Sequence, residues 1–174
     1  MPSGERGCVV WLTGLPGAGK STLAQLVGER LAAEGKQALV IDGDTFRRDH
    51  SPGLGFSPAD RTANVELMAT AGARAAAGGS VALVAAIAPY AEARRRARTI
   101  VEAAARYLEV HVHAPLETCI DRDPKGLYRR ALAGELERFT GISDPYEEPD
   151  APDLRVDTSL LDARSAAELV YARL

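Results

Sequence analysis

Cysteine, aromatic residues, long apolar runs and an excess of charge of either sign are all scarce in this 174-residue chain. The two cysteines, Cys8 and Cys119, stand far apart and form neither a C-x-x-C pair nor a metal-ligand spacing. That excludes a disulfide scaffold and marks both as small buried apolar residues of a reducing compartment. No stretch approaches the roughly 20 apolar residues needed to span a bilayer. Met1 to Gly7 is polar and the apolar run after it is short, so no secretory signal is expected and the protein reads as cytoplasmic. With a net charge of −3, nothing at the level of the whole chain suits a nucleic acid or an anionic membrane. An anionic substrate would therefore need a local basic patch. Internal repeats are also lacking, and the length fits one ordinary domain over residues 1–174.

What is present is an alternation of apolar runs and helical patterns, the mark of an α/β fold with a mainly parallel sheet. Strands are expected at Cys8–Thr13, Ala38–Ile41, Val81–Ala88, Leu108–His113 and Leu154–Val156, all of them short and the first two fully buried. Lys20–Glu34 carries Leu23, Leu26, Val27 and Leu31 on one helical face and closes at Gly35. Residues 42–57, rich in glycine, read as irregular. Ser57-Pro58 with Asp60 caps a helix running to Gly78. Two more helices are expected at Ala91–Tyr107 and Ala163–Leu174. Between Pro115 and Asp153 lie five of the ten prolines, mixed with charge and short helical pieces, the texture of a mobile lid.

Gly14-Leu15-Pro16-Gly17-Ala18-Gly19-Lys20-Ser21, followed by Thr22, satisfies G-x-x-x-x-G-K-[ST] between a buried strand and a helix. Glycines there let backbone N–H groups approach phosphates at a helix N-terminus. Lys20 would reach the β/γ-phosphates of ATP, and the Ser21 hydroxyl would ligate Mg²⁺. The loop fixes a nucleotide site but not a reaction. Two absences narrow it: no [NT]-K-x-D element supports guanine specificity, and the third strand holds no carboxylate. Asp42-Gly-Asp44, at the carboxyl end of the second strand, is then the source of acids for a metal and for an acceptor hydroxyl. The plain alternative is that both are turn and cap residues, where Asp is favoured in any case. Arg47, Arg48, Arg61 and Asn64 follow, with Phe56, one of only three phenylalanines, among them. An aromatic flanked by arginines suits a purine nucleotide acceptor; a hydrophobic plug under the loop is the alternative. The run Arg94, Arg95, Arg96 and Arg98 reads mostly as solvated helix surface.

These residues resemble the adenylyl-sulfate kinase family from Val10 to about Thr158. The carrying segments are Gly14–Thr22, Asp42-Gly-Asp44, Leu54-Gly-Phe-Ser57 with Asp60-Arg61, and Arg122-Asp-Pro-Lys-Gly-Leu-Tyr128. Phe139-Thr-Gly-Ile142 and Asp144-Pro-Tyr-Glu147 complete the set. The resemblance implies a P-loop kinase with a five-stranded parallel sheet in the order 2-3-1-4-5, a homodimer, and sulfate assimilation as the context. It implies transfer from ATP, with Mg²⁺, to the 3′-hydroxyl of adenylyl sulfate. Phe56 and Phe139 would then sandwich the acceptor adenine, Arg47, Arg61 and Asn64 would hold its phosphosulfate and ribose, Ile87 and Ala88 would line its pocket, and Lys125 would enter from the lid over 115–153. The chain departs from the family pattern at Thr45-Phe46, at Asp49-His-Ser51, at Glu66-Leu67 where two arginines are usual, and at Ala88 where a serine is usual. All of these lie on the acceptor side, so a kinase of the same fold with another nucleotide-like or secondary-metabolite hydroxyl as acceptor is the neighbouring reading. A non-catalytic nucleotide sensor is the reading from another class, and the retained Lys20, Ser21, Asp42 and Asp44 argue against it.

Overall fold

A computed structural model describes residues 7–174; Met1–Arg6, which make up nearly all of the polar amino-terminal stretch, lie outside the described residues. Five parallel strands form one sheet in the order β2-β3-β1-β4-β5. The central strand β1 (Cys8–Thr13) is buried along its whole length, as its unbroken apolar run requires when helices cover both faces. The helix α1 (Lys20–Ala33) buries Leu23, Val27 and Leu31 and gives way at Gly35, whose φ of 73° glycine adopts without strain.

β2 (Ala38–Asp42) departs from expectation. As the edge strand it has only one neighbour, and Leu39 and Val40 are exposed, with Ile41 alone buried. The supposed irregular stretch after it contains a helix, α2 (Gly43–His50). Asp42 makes that helix possible, because its carboxylate accepts the N–H groups of Asp44 and Thr45 as an N-cap. α3 (Pro58–Ala77) starts as expected, with Ser57 Oγ accepting from Asp60 N and proline in the first turn.

β3 (Val81–Ala85) stops three residues short of the expected Ala88, which frees residues 86–90 to form a wall beside the loop. α4 (Ala91–Glu102) also ends early, since pairing with β1 draws Arg106 and Tyr107 into β4 (Arg106–His113). Two short helices, α5 (Leu116–Arg122) and α6 (Leu127–Leu132), precede β5 (Leu154–Asp157) and the Asp162-capped α7 (Ala163–Tyr171). One apolar cluster packs each face of the sheet, with Leu83 and Val110 on the α1–α7 side and Trp11 and Met68 on the α3–α4 side. Cys8 and Cys119 are buried free thiols within the first cluster. Among the described residues, no helix is long and apolar enough to cross a membrane.

Candidate active site

The carboxyl ends of the parallel strands open onto a cleft of about 700 Å³, the place where open α/β sheets bind ligands. Its floor is the loop between β1 and α1. A side chain could not replace Gly14, because a Cβ there would lie 2.2 Å from the Val112 carbonyl oxygen. Gly19 turns into the helix with φ 101°, leaving the free N–H groups of the first turn aimed at the cleft. Lys20 lies back across its own loop and donates to the carbonyls of Gly14 (2.9 Å) and Leu15 (2.8 Å). Burial lowers its pKa to about 8, so the ammonium is poorly solvated where it rests, and an arriving anion would stabilise its charged form.

Ser21 Oγ donates to Asp42 Oδ2 at 2.5 Å. Burial raises the Asp42 carboxyl pKa, but hydrogen bonds from Ser21, Thr45 N and Asp44 N outweigh it and leave the group below its ordinary value. Asp42 is thus a helix cap, as the plain reading had it, and its carboxylate also stays anionic beside Ser21. Asp44 meets Lys125 in a direct ion pair across the cleft, and that bond raises the Lys125 pKa. The sequence placed Lys125 at the substrate without naming a partner; the structure sets it against Asp44.

The other expected residues divide. Arg47, Arg61, Asn64, Ile87, Ala88, Lys125 and Phe139 line the cleft together with Pro16–Thr22, whereas Gly14 and Leu15 lie beneath it. Phe56 is outside the cleft lining and 58% exposed, which rules out a buried plug. One face of its ring is covered by the Arg47 guanidinium at 4.8 Å. Phe139 packs edge-on against Tyr128, 5.0 Å between ring centres.

The expected anion holders are tied up in the fold. Arg61, 8% exposed, donates to Phe56 O, Thr140 Oγ1 and Arg138 O and pairs with Asp144 at 3.5 Å. Arg47 donates to Gly55 O at 2.6 Å, and Asn64 accepts from Ser51 Oγ at 2.6 Å.

Several residues on the cleft were not assigned from the sequence. Arg122 donates to Gly17 O and Thr158 O, while Thr158 Oγ1 donates to Ala18 O, so the end of α5 and the residue after β5 clasp the 14–22 loop. Tyr128 OH donates to Pro16 O. Arg122 and Tyr128 bracket the segment from which Lys125 alone was chosen.

Arg94 corrects the reading of its run as solvated surface, although Arg95 and Arg96 fit it. Arg94 is 4% exposed, donates to Ala88 O (2.7 Å) and Glu147 O (2.6 Å), and pairs with Glu109 at 3.4 Å. Its signal was the helical spacing of Arg94, Ala97 and Val101, which puts it on the buried stripe of α4. Ala88, held by that bond, has the left-handed φ of 44°. Behind it, Thr13 Oγ1 donates to Ile87 O at 2.6 Å and touches Tyr146 OH at 2.9 Å. The wall at 87–89 is thus fixed from two sides.

Comparison with known proteins agrees with this geometry. The family model described as adenylylsulphate kinase matches residues 6–157. The adenylyl-sulfate kinase of Deinococcus deserti is 51% identical over 87% of this chain and 82% of its own, and that of Paraburkholderia xenovorans 46% over 99% and 95%. Among solved structures, a Mycobacterium tuberculosis APS kinase in complex with AMPPNP and APS superposes with a TM-score of 0.94 at 43% identity, covering 97% of each chain. More distant kinases at about 20% identity, a gluconokinase among them, share the fold alone.

Proposed function

The chain belongs to the adenylylsulphate kinase family and is an ATP-dependent adenylyl-sulfate kinase, and from that premise we propose how its cleft divides the work. ATP lies with its phosphates in the 14–22 loop, where Lys20 exchanges its two carbonyl partners for phosphate oxygens. Adenylyl sulfate lies against Phe139 and the wall at Ile87–Ala88, its ribose 3′-hydroxyl toward Asp44, and the product is 3′-phosphoadenylyl sulfate. Asp44 receives or orients the hydroxyl proton, and Lys125 carries positive charge to the phosphoryl group in flight. The observation that carries this reading is the Asp44–Lys125 pair facing Lys20 across one cleft.

The Ser21 hydroxyl and the Asp42 carboxylate are adjacent oxygen donors, one anionic, and that set suits Mg²⁺. When bound, the ion would neutralise charge on the nucleotide phosphates. Arg47, Arg61, Asn64 and Phe56 complete the acceptor side, which requires Phe56 to swing from Arg47 onto the base. Residues 115–153 act as the lid of one kinase domain that works in the cytoplasm as a homodimer, the state to be read by sedimentation.

A screen that couples ADP release to adenylyl sulfate, AMP and simple alcohols tests the acceptor. Turnover with adenylyl sulfate alone is the expected result. Faster ADP release with another hydroxyl compound would move the acceptor, and acceptor-independent binding without ADP would leave a nucleotide sensor.

A further inference from the structure

Outside the substrate cleft, β4 carries a second set of polar side chains. Tyr107, Glu109, His111 and His113 alternate along one face, as strand geometry requires. His111 is 2% exposed. The His113 ring stands edge-on to it at 5.5 Å. Glu148, from the irregular segment that crosses this face, brings Oε1 to 3.8 Å from His113 Nδ1. On the other side of the same imidazole, Asp157 Oδ2 lies 3.8 Å from Nε2.

We propose that His111, His113 and Glu148 form a binding site for a divalent transition-metal ion of the zinc type. One ligand atom from each lies within 4.8 Å of the others. Around a tetrahedral zinc, with bonds of about 2.0–2.2 Å, ligand atoms stand roughly 3.4 Å apart. The ligand atoms must therefore close by up to roughly 1.4 Å, and Glu148, whose side chain is 59% exposed, is the ligand freest to move. Asp157, 3.8 Å from Nε2, is placed as an outer carboxylate toward the ring nitrogen that the metal would not use. Two imidazoles and one carboxylate, with a fourth position for water, select zinc, nickel or copper over Mg²⁺ and Ca²⁺, which prefer all-oxygen sets. Arg94, the nearest cation on α4, is already paired with Glu109.

Occupancy would tie the 146–148 segment to the sheet. That segment also holds the acceptor wall, since Glu147 N donates to Pro89 O at 2.8 Å. The plainer reading is a solvated ion cluster in which His113 sits between two carboxylates.

Chelator-treated protein, free of nucleotide, titrated calorimetrically with zinc chloride separates the two. One zinc per chain is expected in the wild type, with at least a tenfold weaker affinity in His113→Ala and in Glu148→Gln. Zinc should also raise the melting temperature of the wild type, reversibly with EDTA, and not that of either variant. No binding by the wild type, or equal binding by the variants, overturns the site. Should the variants fold poorly, cobalt chloride added to the wild type decides: strong visible bands of a four-coordinate ion support the site, and the pale spectrum of the hydrated ion overturns it.

Discussion

The phosphate floor takes its shape from consecutive residues, 14 to 22, laid over the start of one helix. The acceptor wall is assembled from segments as distant as Asp44, Ala88, Lys125, Phe139 and Tyr146. The floor takes its shape from local backbone geometry, with glycine at set positions, and is braced from outside by Arg122, Tyr128 and Thr158. The wall is held by side chains reaching across the fold: Arg61 to Thr140, Arg94 to Glu147, Thr13 to Tyr146. A floor of that kind can stay constant while the wall is rebuilt; of the departures from the family pattern, Ala88 lies on the cleft, whereas Glu66 and Leu67 lie outside its lining.

The sharpest way to break the comparison is at the floor. Lys20→Ala should reduce kcat/KM by roughly 1,000-fold, the scale on which one preorganised cationic donor acts in a dry site. Retention of a tenth of the wild-type rate would place the phosphates elsewhere. The pH profile gives an independent reading of the same residue. The protonated form is the useful one, and burial lowers its pKa to about 8. The kcat/KM for ATP should therefore fall as pH rises through about 8. Bound phosphates restore the proton affinity of Lys20, so the corresponding limb in kcat should lie at higher pH.

At the junction of floor and wall, Asp44→Asn should lower kcat about 100-fold, the contribution of a positioned base. Asn keeps the shape but neither the charge that holds Lys125 nor the basicity. ATP affinity, measured by equilibrium binding, should change little, because Asp42 and Ser21 remain. A collapse of ATP affinity with surviving turnover would exchange the roles of the two acids.

The contrast between floor and wall also explains what could be read without coordinates. The loop, the position of Asp42 and Asp44 at the end of β2 and the order of elements were legible because each depends on local pattern: a glycine spacing, a strand end, a helical period. The α2 helix was missed since its glycine and polar residues lack a periodic apolar face, and its start rests on the Asp42 cap. The exposure of β2 was missed because apolar strand residues read alike at a sheet's edge and at its centre. Arg94 was hidden in a run of arginines whose other members are solvated, and its partners Glu109 and Glu147 come from distant parts of the chain. Phe139 was reached through family resemblance, as nothing in its local sequence distinguishes a stacking ring from a packed one.

Within the wall, the two aromatics should prove unequal. Phe139 is braced by Tyr128, whereas Phe56 lies under Arg47; on the proposed reading the first ring would already be placed for a base and the second would have to move. Phe139→Ala should raise the acceptor KM about tenfold, within the 1–3 kcal/mol typical of a stacked base. Phe56→Ala should raise it about fivefold or less. Neither should move the KM for ATP. Equal effects on both substrates would mean that the rings pack the lid and do not touch the acceptor.

The smallest effect is expected at Ala88. A serine at this place would offer a hydroxyl to ATP, and a covalent phosphoenzyme would need such a nucleophile activated by a neighbouring base. Ala88 has none. The hydroxyl behind it, Thr13 Oγ1, is fully buried and already donates to Ile87 O. Residues 87–89 thus offer no nucleophile, and the acceptor hydroxyl is expected to attack the γ-phosphorus directly with both substrates bound. Steady-state kinetics should be sequential, with inversion at phosphorus. Ala88→Ser keeps the backbone that Arg94 holds and should change kcat by no more than about twofold, as for substitutions that disturb no packing. Incubation with γ-labelled ATP alone, followed by denaturation, should leave no label on the wild-type protein. Stoichiometric labelling with ping-pong kinetics would overturn the direct mechanism, and mapping the label to residues 87–89 would give that stretch a part in the chemistry beyond positioning the acceptor.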